Sequence, residues 1–149
     1  YRSDWLSLTS TEMVQKRFDK ALERAEMVYG RMDAAQKTLI RQQVEQSRFD
    51  PQQVQTERLR RQADTLQTLR QLQRDSATAA DTRSAVRGVL ERSMRSPQPA
   101  YRAYAEAVAR QDCEGVAAVH NSTTPKQRDV ALRWLAGYVQ SLRELAAQR

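Results

Sequence analysis

The chain has 149 residues, 40% of them hydrophobic and 6% aromatic, and a net charge of +7. That length suits one domain with a core of its own. Only four glycines, four prolines and a single isoleucine stand among abundant Gln, Ala, Arg, Leu and Glu, a balance that favours helix over sheet, and no run approaches the ~18 apolar residues of a membrane span.

Four helix starts are written in one pattern. Thr9, Asp33, Asp50 and Thr124 are each followed three residues later by Glu or Gln, at Glu12, Gln36, Gln53 and Gln127. In such a capping box the first side chain accepts from a free N–H of the opening turn, and the Glu or Gln reaches back to the cap's own N–H. A first helix is expected from Ser10 to Tyr29, with Val14, Phe18, Ala21, Leu22, Ala25, Val28 and Tyr29 on one apolar stripe and Gly30 as its stop. A second starts after Asp33, carries Ala35, Leu39, Ile40 and Val44 inward, and ends near Ser47. Asp50-Pro51 opens a third. It runs to Arg74, about 25 residues or roughly 37 Å, on a narrow face of Val54, Leu59, Leu66, Leu69 and Leu72.

Asp75 to Asp81 reads as a connection, followed by a helix from Thr82 to Met94 with Val86, Val89, Leu90 and Met94 inward. Ser96-Pro97-Gln98-Pro99 is a break. A fifth helix runs from Pro99 toward His120 on Tyr101, Tyr104, Ala105, Val108, Val116 and Val119, with Gly115 as a point of interruption or close packing. Thr124-Pro125 opens a sixth, whose stripe is Ala131, Leu135, Tyr138, Leu142 and Leu145. The expected fold is all-α: one domain over residues 1–149, an antiparallel bundle of about six helices, some of them long.

These signals describe architecture and no reaction. His120 is the sole histidine; the positions one turn away hold Val116, Ala117, Thr123 and Thr124, none a useful ligand, and Cys113 is two turns off. No metal site and no cofactor is expected, and His120 reads as a helix-end residue bound to backbone carbonyls. Glu23 with Glu26, and Asp112 with Glu114, have no apolar setting that would raise a carboxyl for acid catalysis, and read as salt-bridging groups. Four scattered glycines make no phosphate loop. Basic and acidic residues are interspersed, as in Glu57 ahead of Arg60 and Arg61, which describes a solvated helical face and disfavours a nucleic-acid partner. The densest basic group is Arg58, Arg60 and Arg61, with Arg70 and Arg74 beyond. Arg60 and Arg74 lie two heptads apart on one face, and Arg61 points elsewhere. Arg58, Arg60, Arg61, Arg74 and His120 are the candidate anion- or partner-binding residues; no catalytic residue is expected.

The strings ERAEMVYGRMDAAQ (23–36), RFD (48–50) with RLRRQADTLQTLR (58–70), SPQPAYRAY (96–104) and HNSTTPKQR (120–128) with LAGYVQSLREL (135–145) together resemble the C-terminal half of a family of helical lipoproteins of Gram-negative bacteria that has no established activity. The resemblance covers nearly the whole chain in order. It implies a periplasmic location and anchoring by a lipid on an N-terminal cysteine; this chain begins at Tyr1 without one, so the expectation is the C-terminal part of a longer lipoprotein. A looser resemblance is to the Spy-type periplasmic chaperones, small helical proteins with repeated Leu-Thr-x-x-Gln motifs opening helices; RMDAAQ and STTPKQ resemble that motif without its leucine.

Together these readings point to a non-enzymatic envelope module that binds or scaffolds protein, with an envelope protein as partner. The alternative is a Spy-like, ATP-independent chaperone whose partner is unfolded polypeptide. A further alternative is an enzyme built around His120, which requires His120, Arg60 and a carboxylate to converge in one pocket.

Overall fold

The computed structural model describes residues 5–148. The fold is all-α, and the described residues contain no strand. Six helices follow in order: α1 Ser10–Tyr29, α2 Ala34–Glu45, α3 Pro51–Arg74, α4 Ala79–Met94, α5 Pro99–Ser122 and α6 Pro125–Ala147. They form two compact units. One holds α1, α2, the second part of α5 and α6; the other holds α3, α4, the first part of α5 and residues 5–7, with the division inside α5 between Arg110 and Gln111.

The caps set these boundaries. Thr9, Asp33 and Thr124 form complete capping boxes with Glu12, Gln36 and Gln127. Asp50 departs from the expected pattern. Its carboxylate accepts from Gln52 N and Gln53 N, but its own N–H donates to the Tyr104 hydroxyl at 2.8 Å, so α5 supplies the arm that Gln53 was expected to provide. A further complete box, Thr78 with Asp81, starts α4 three residues before the expected Thr82. Asp serves there because its short carboxylate still spans one turn. Between α3 and α4, Ser76 adopts φ 47°, and Ala77 N donates to Leu72 O at 3.1 Å, a left-handed helix stop. Gly30 ends α1 at φ 75°, where a side chain would be strained.

In the α1–α2 unit, Phe18, Met32 and Ile40 form the core, with Ala21, Leu22, Ala25, Tyr29 and Val119 packed on it. Arg41 lies over the Phe18 ring at 4.0 Å, and Arg17 donates to the Ser47 hydroxyl at 2.7 Å, so α1 and α2 run antiparallel. Gly115 does not interrupt α5: a Cβ there would stand 2.6 Å from Gln43 Oε1, so the glycine permits close approach to α2.

The turn before α2 and the turn before α6 are joined by their capping glutamines. Gln36 Nε2 donates to Gln127 Oε1 at 2.9 Å, and Gln127 Nε2 donates back to Gln36 Oε1 at 3.0 Å. Each amide oxygen also accepts from its own cap, Asp33 N or Thr124 N. Each amide nitrogen also donates to the carbonyl two residues before the other's cap: Gln36 to Ser122 O and Gln127 to Arg31 O, both at 3.0 Å. The pair is internally two-fold, and Gln36 is buried within it.

Several apolar stripes do not face inward as expected. Leu59, Leu66 and Leu69 of α3, Val86, Leu90 and Met94 of α4, Val116 of α5, and Leu135, Tyr138, Leu142 and Leu145 of α6 are exposed; so is Ala35 of α2. On α3 the inner line is mostly polar instead, through Glu57, Asp64 and Thr68 (residues three, four and seven apart share a face), so Leu59 and Leu66 lie opposite it, while Leu72, four residues past Thr68, stays half-buried on the inner side.

Removing either amide leaves one donor and one acceptor site of the other unpaired. Gln36→Ala and Gln127→Ala should each destabilise by about 1–3 kcal/mol, and the double variant by clearly less than their sum. Urea unfolding followed by circular dichroism checks this; additive losses would show that the two glutamines act independently.

Candidate functional site

The α3–α4 pair is built around a carboxylate. Glu57 is 3% exposed. Arg60 meets it with two bonds, Nε to Oε2 at 3.0 Å and Nη2 to Oε1 at 2.9 Å; Arg61 Nε donates to Oε1 at 3.1 Å and Ser96 Oγ to Oε2 at 3.0 Å. Those four donors fill the acceptor sites of one carboxylate. Two turns on, Asp64 takes both ends of the Arg92 guanidinium at 2.9 and 2.8 Å, and Arg60 donates to Arg92 O at 3.0 Å. α3 is thereby held antiparallel to α4 by charge-assisted bonds rather than by leucines.

Burial by itself would raise the Glu57 carboxyl. The hydrogen bonds from Arg60, Arg61 and Ser96, with the Arg60 charge, overcome this and hold it below the usual range. The bond from Arg92 holds Asp64 low as well. The guanidinium groups of Arg60 and Arg92 are correspondingly raised by Glu57 and Asp64.

Arg60 and Arg61 thus both turn to Glu57; Arg61 does not point elsewhere, and Arg60 does not share an exposed face with Arg74. Arg58, Arg70 and Arg74 are on the exposed side of α3, where Arg74 donates to Gln71 Oε1. Ala63, Leu66, Gln67, Arg70 and Arg74 line an open hollow of about 520 Å³ there. The leucine face of α3 is therefore flanked by Arg58 on one side and Arg70 with Arg74 on the other.

His120 lies in the other unit from Arg60. Its Nδ1 shares a 2.9 Å hydrogen bond with the Tyr29 hydroxyl, and the two rings are 5.9 Å apart. Its partner is a side chain of α1 rather than the expected backbone carbonyls. Glu26 accepts from Met32 N at 3.1 Å and pairs with Lys37 at 3.7 Å. Cys113 is exposed. Among the described residues no group of three His, Cys, Asp or Glu could hold a metal ion, and no helix is long and apolar enough to cross a membrane.

Of the residues that organise α3 and α4, sequence spacing exposes only part. Glu57 ahead of Arg60 and Arg61 is a visible local pair, but its burial is not. Asp64 stands one turn after Arg60 and pairs with it at 3.6 Å, a local spacing, but Arg92 and Ser96 join the cluster through tertiary pairing that no local pattern encodes.

No protein-family model matches the chain. Neither the curated proteins nor the solved structures contain a match to it.

Because the Glu57 and Asp64 carboxyls are lowered on folding, their contribution to stability is complete above the ordinary carboxylate range, near pH 4, and is lost as the pH falls through their lower folded values. Glu57→Gln should destabilise by about 3 kcal/mol at neutral pH by removing the buried charge that pairs with Arg60 and Arg61. It should also flatten the acid limb of a stability–pH curve measured by urea unfolding. An unchanged acid limb would place the relevant carboxylate elsewhere.

Proposed function

We propose that this chain is a non-enzymatic module that binds polypeptide, a scaffolding or binding element of a bacterial envelope lipoprotein. One observation carries the reading: α3 and α4 turn charged and small residues toward each other and leave Leu59, Leu66, Leu69, Val86, Leu90 and Met94 outside. An apolar face set this way on a hydrogen-bonded helix pair is available to a partner. Arg58, Arg70 and Arg74 beside the leucines, on a chain of net charge +7, favour a partner segment with apolar and acidic side chains. The envelope placement rests on the resemblance of the strings above to helical lipoproteins, and the membrane anchor would be a lipid outside this chain.

A second reading, an ATP-independent periplasmic chaperone of Spy type, is favoured by the joining of the two cap-x-x-Gln units, RMDAAQ and STTPKQ, through Gln36 and Gln127. On that reading the exposed apolar faces take unfolded chains transiently.

The two readings separate in one set of measurements. A fluorescent amphipathic helical peptide with acidic flanks should bind at low salt and weaken as salt rises. Leu59→Gln with Leu66→Gln should weaken it about tenfold or more, without loss of helicity because both side chains are exposed. A chaperone should also suppress aggregation of a denatured client at near-stoichiometric amounts. Suppression without peptide binding favours the chaperone; neither effect removes both readings.

A further inference from the structure

Among the described residues, none covers the last part of α6. Ala131, near its start, is buried, and Val130 lies beside Gly30 at the end of α1. From Leu135 to Gln148 every residue is exposed. Within that stretch Leu135, Tyr138, Leu142 and Leu145 follow one another at steps of three, four and three, with Val139 alongside, and these five are between 47% and 61% exposed. A single helix of this length is marginal in water. Alternating steps of three and four residues are the spacing of a two-helix seam, in which each apolar side chain enters a hole on the facing helix.

From this geometry we infer that this face is covered by the same face of a second copy of the chain, running antiparallel. The stripe is complementary to itself about Gln140. A two-fold axis at that level sets Leu135 against Leu145, and Tyr138 against Leu142, in both directions, making four closed layers. Charge permits the pairing despite the net +7. The segment carries only Arg143 and Glu144 among its charged side chains, and the axis places them opposite Gly137 and Ala136, so no like charges meet. Trp134, whose ring lies 5.1 Å from that of Tyr138, flanks the seam. Half-exposed side chains of this number offer on the order of 500 Å² of apolar surface per copy, so the pair buries roughly 1,000 Å², the lower bound of a specific interface. The dimer is accordingly a concentration-dependent one.

Sedimentation velocity over about 1–200 μM, a span of roughly two decades in concentration, should show a monomer–dimer shift. Leu142→Arg and Leu135→Ser, both at exposed positions, should abolish it while keeping the helical circular dichroism. Leu59→Gln with Leu66→Gln on α3 should leave it intact, so failure of the dimer and failure of the α3 binding face are read separately. Orientation is tested by mixing Leu135→Cys with Leu145→Cys, each in a Cys113→Ser background, under mild oxidation. The antiparallel seam predicts the mixed disulfide as the main product. A chain that stays monomeric throughout, a dimer that survives Leu142→Arg, or self-disulfides in preference to the mixed one would each overturn the inference. So would a monomer whose α6 instead binds anionic lipid vesicles.

Discussion

Two carboxamides hold the α1–α2 unit in register. An amide side chain has two donors and two acceptor lone pairs, and Gln36 and Gln127 place all of them: one oxygen bond to the helix's own cap, one to the other glutamine, and the two N–H groups on the other glutamine and on the carbonyl before its cap. Such a network tolerates no slip, because a half-satisfied buried amide costs more than an apolar replacement. It fixes where the two turns meet, and so where α2 and α6 begin relative to each other. The small core of Phe18, Met32 and Ile40 is then required only to fill the space those turns define.

Glu57 has the same role between α3 and α4, by different chemistry. A carboxylate at 3% exposure is tolerable only because Arg60, Arg61 and Ser96 fill its lone pairs. Once it occupies the inner line of α3, Leu59 and Leu66 cannot, because theirs is the side opposite Glu57. Outward apolar surface in this unit is a geometric consequence of where one buried acid sits, and not a failure of packing. Both units thus rest on directional bonds that need defined partners and leave much of their non-directional, hydrophobic surface outside.

What could be read from the residues follows the range of each interaction. The caps at Thr9, Asp33 and Thr124 are legible because a capping box closes within one turn, and the helix boundaries they imply match the structure closely. Thr78 and Asp81 have the same spacing, and only the shorter acid hides them. Asp50 is half legible: its carboxylate caps as expected, but Tyr104, 54 residues on, takes its N–H. Periodicity reports that Leu135, Tyr138, Leu142 and Leu145 share a face of α6 and is silent on whether anything covers that face. Heptad arithmetic likewise sets Arg60 in line with Arg74, yet a bidentate bond to Glu57 three residues away draws the guanidinium inward.

The contrast between inside and outside bears on the kind of recognition this chain could support. Hydrogen-bonded networks discriminate steeply, since a wrong group leaves donors unpaired. Apolar faces discriminate by shape and area, and accept many sequences of the right pattern. On the proposed reading, a protein that uses its demanding interactions to hold its own helices, and leaves the permissive ones exposed, meets partners defined by amphipathic pattern rather than by a single residue. On the same reading, the arginines beside the α3 leucines narrow that class by charge without fixing its sequence. The α6 stripe, with almost no charge along it, is narrowed instead by the alternation of its spacing, which a second copy of the same helix satisfies without any further design.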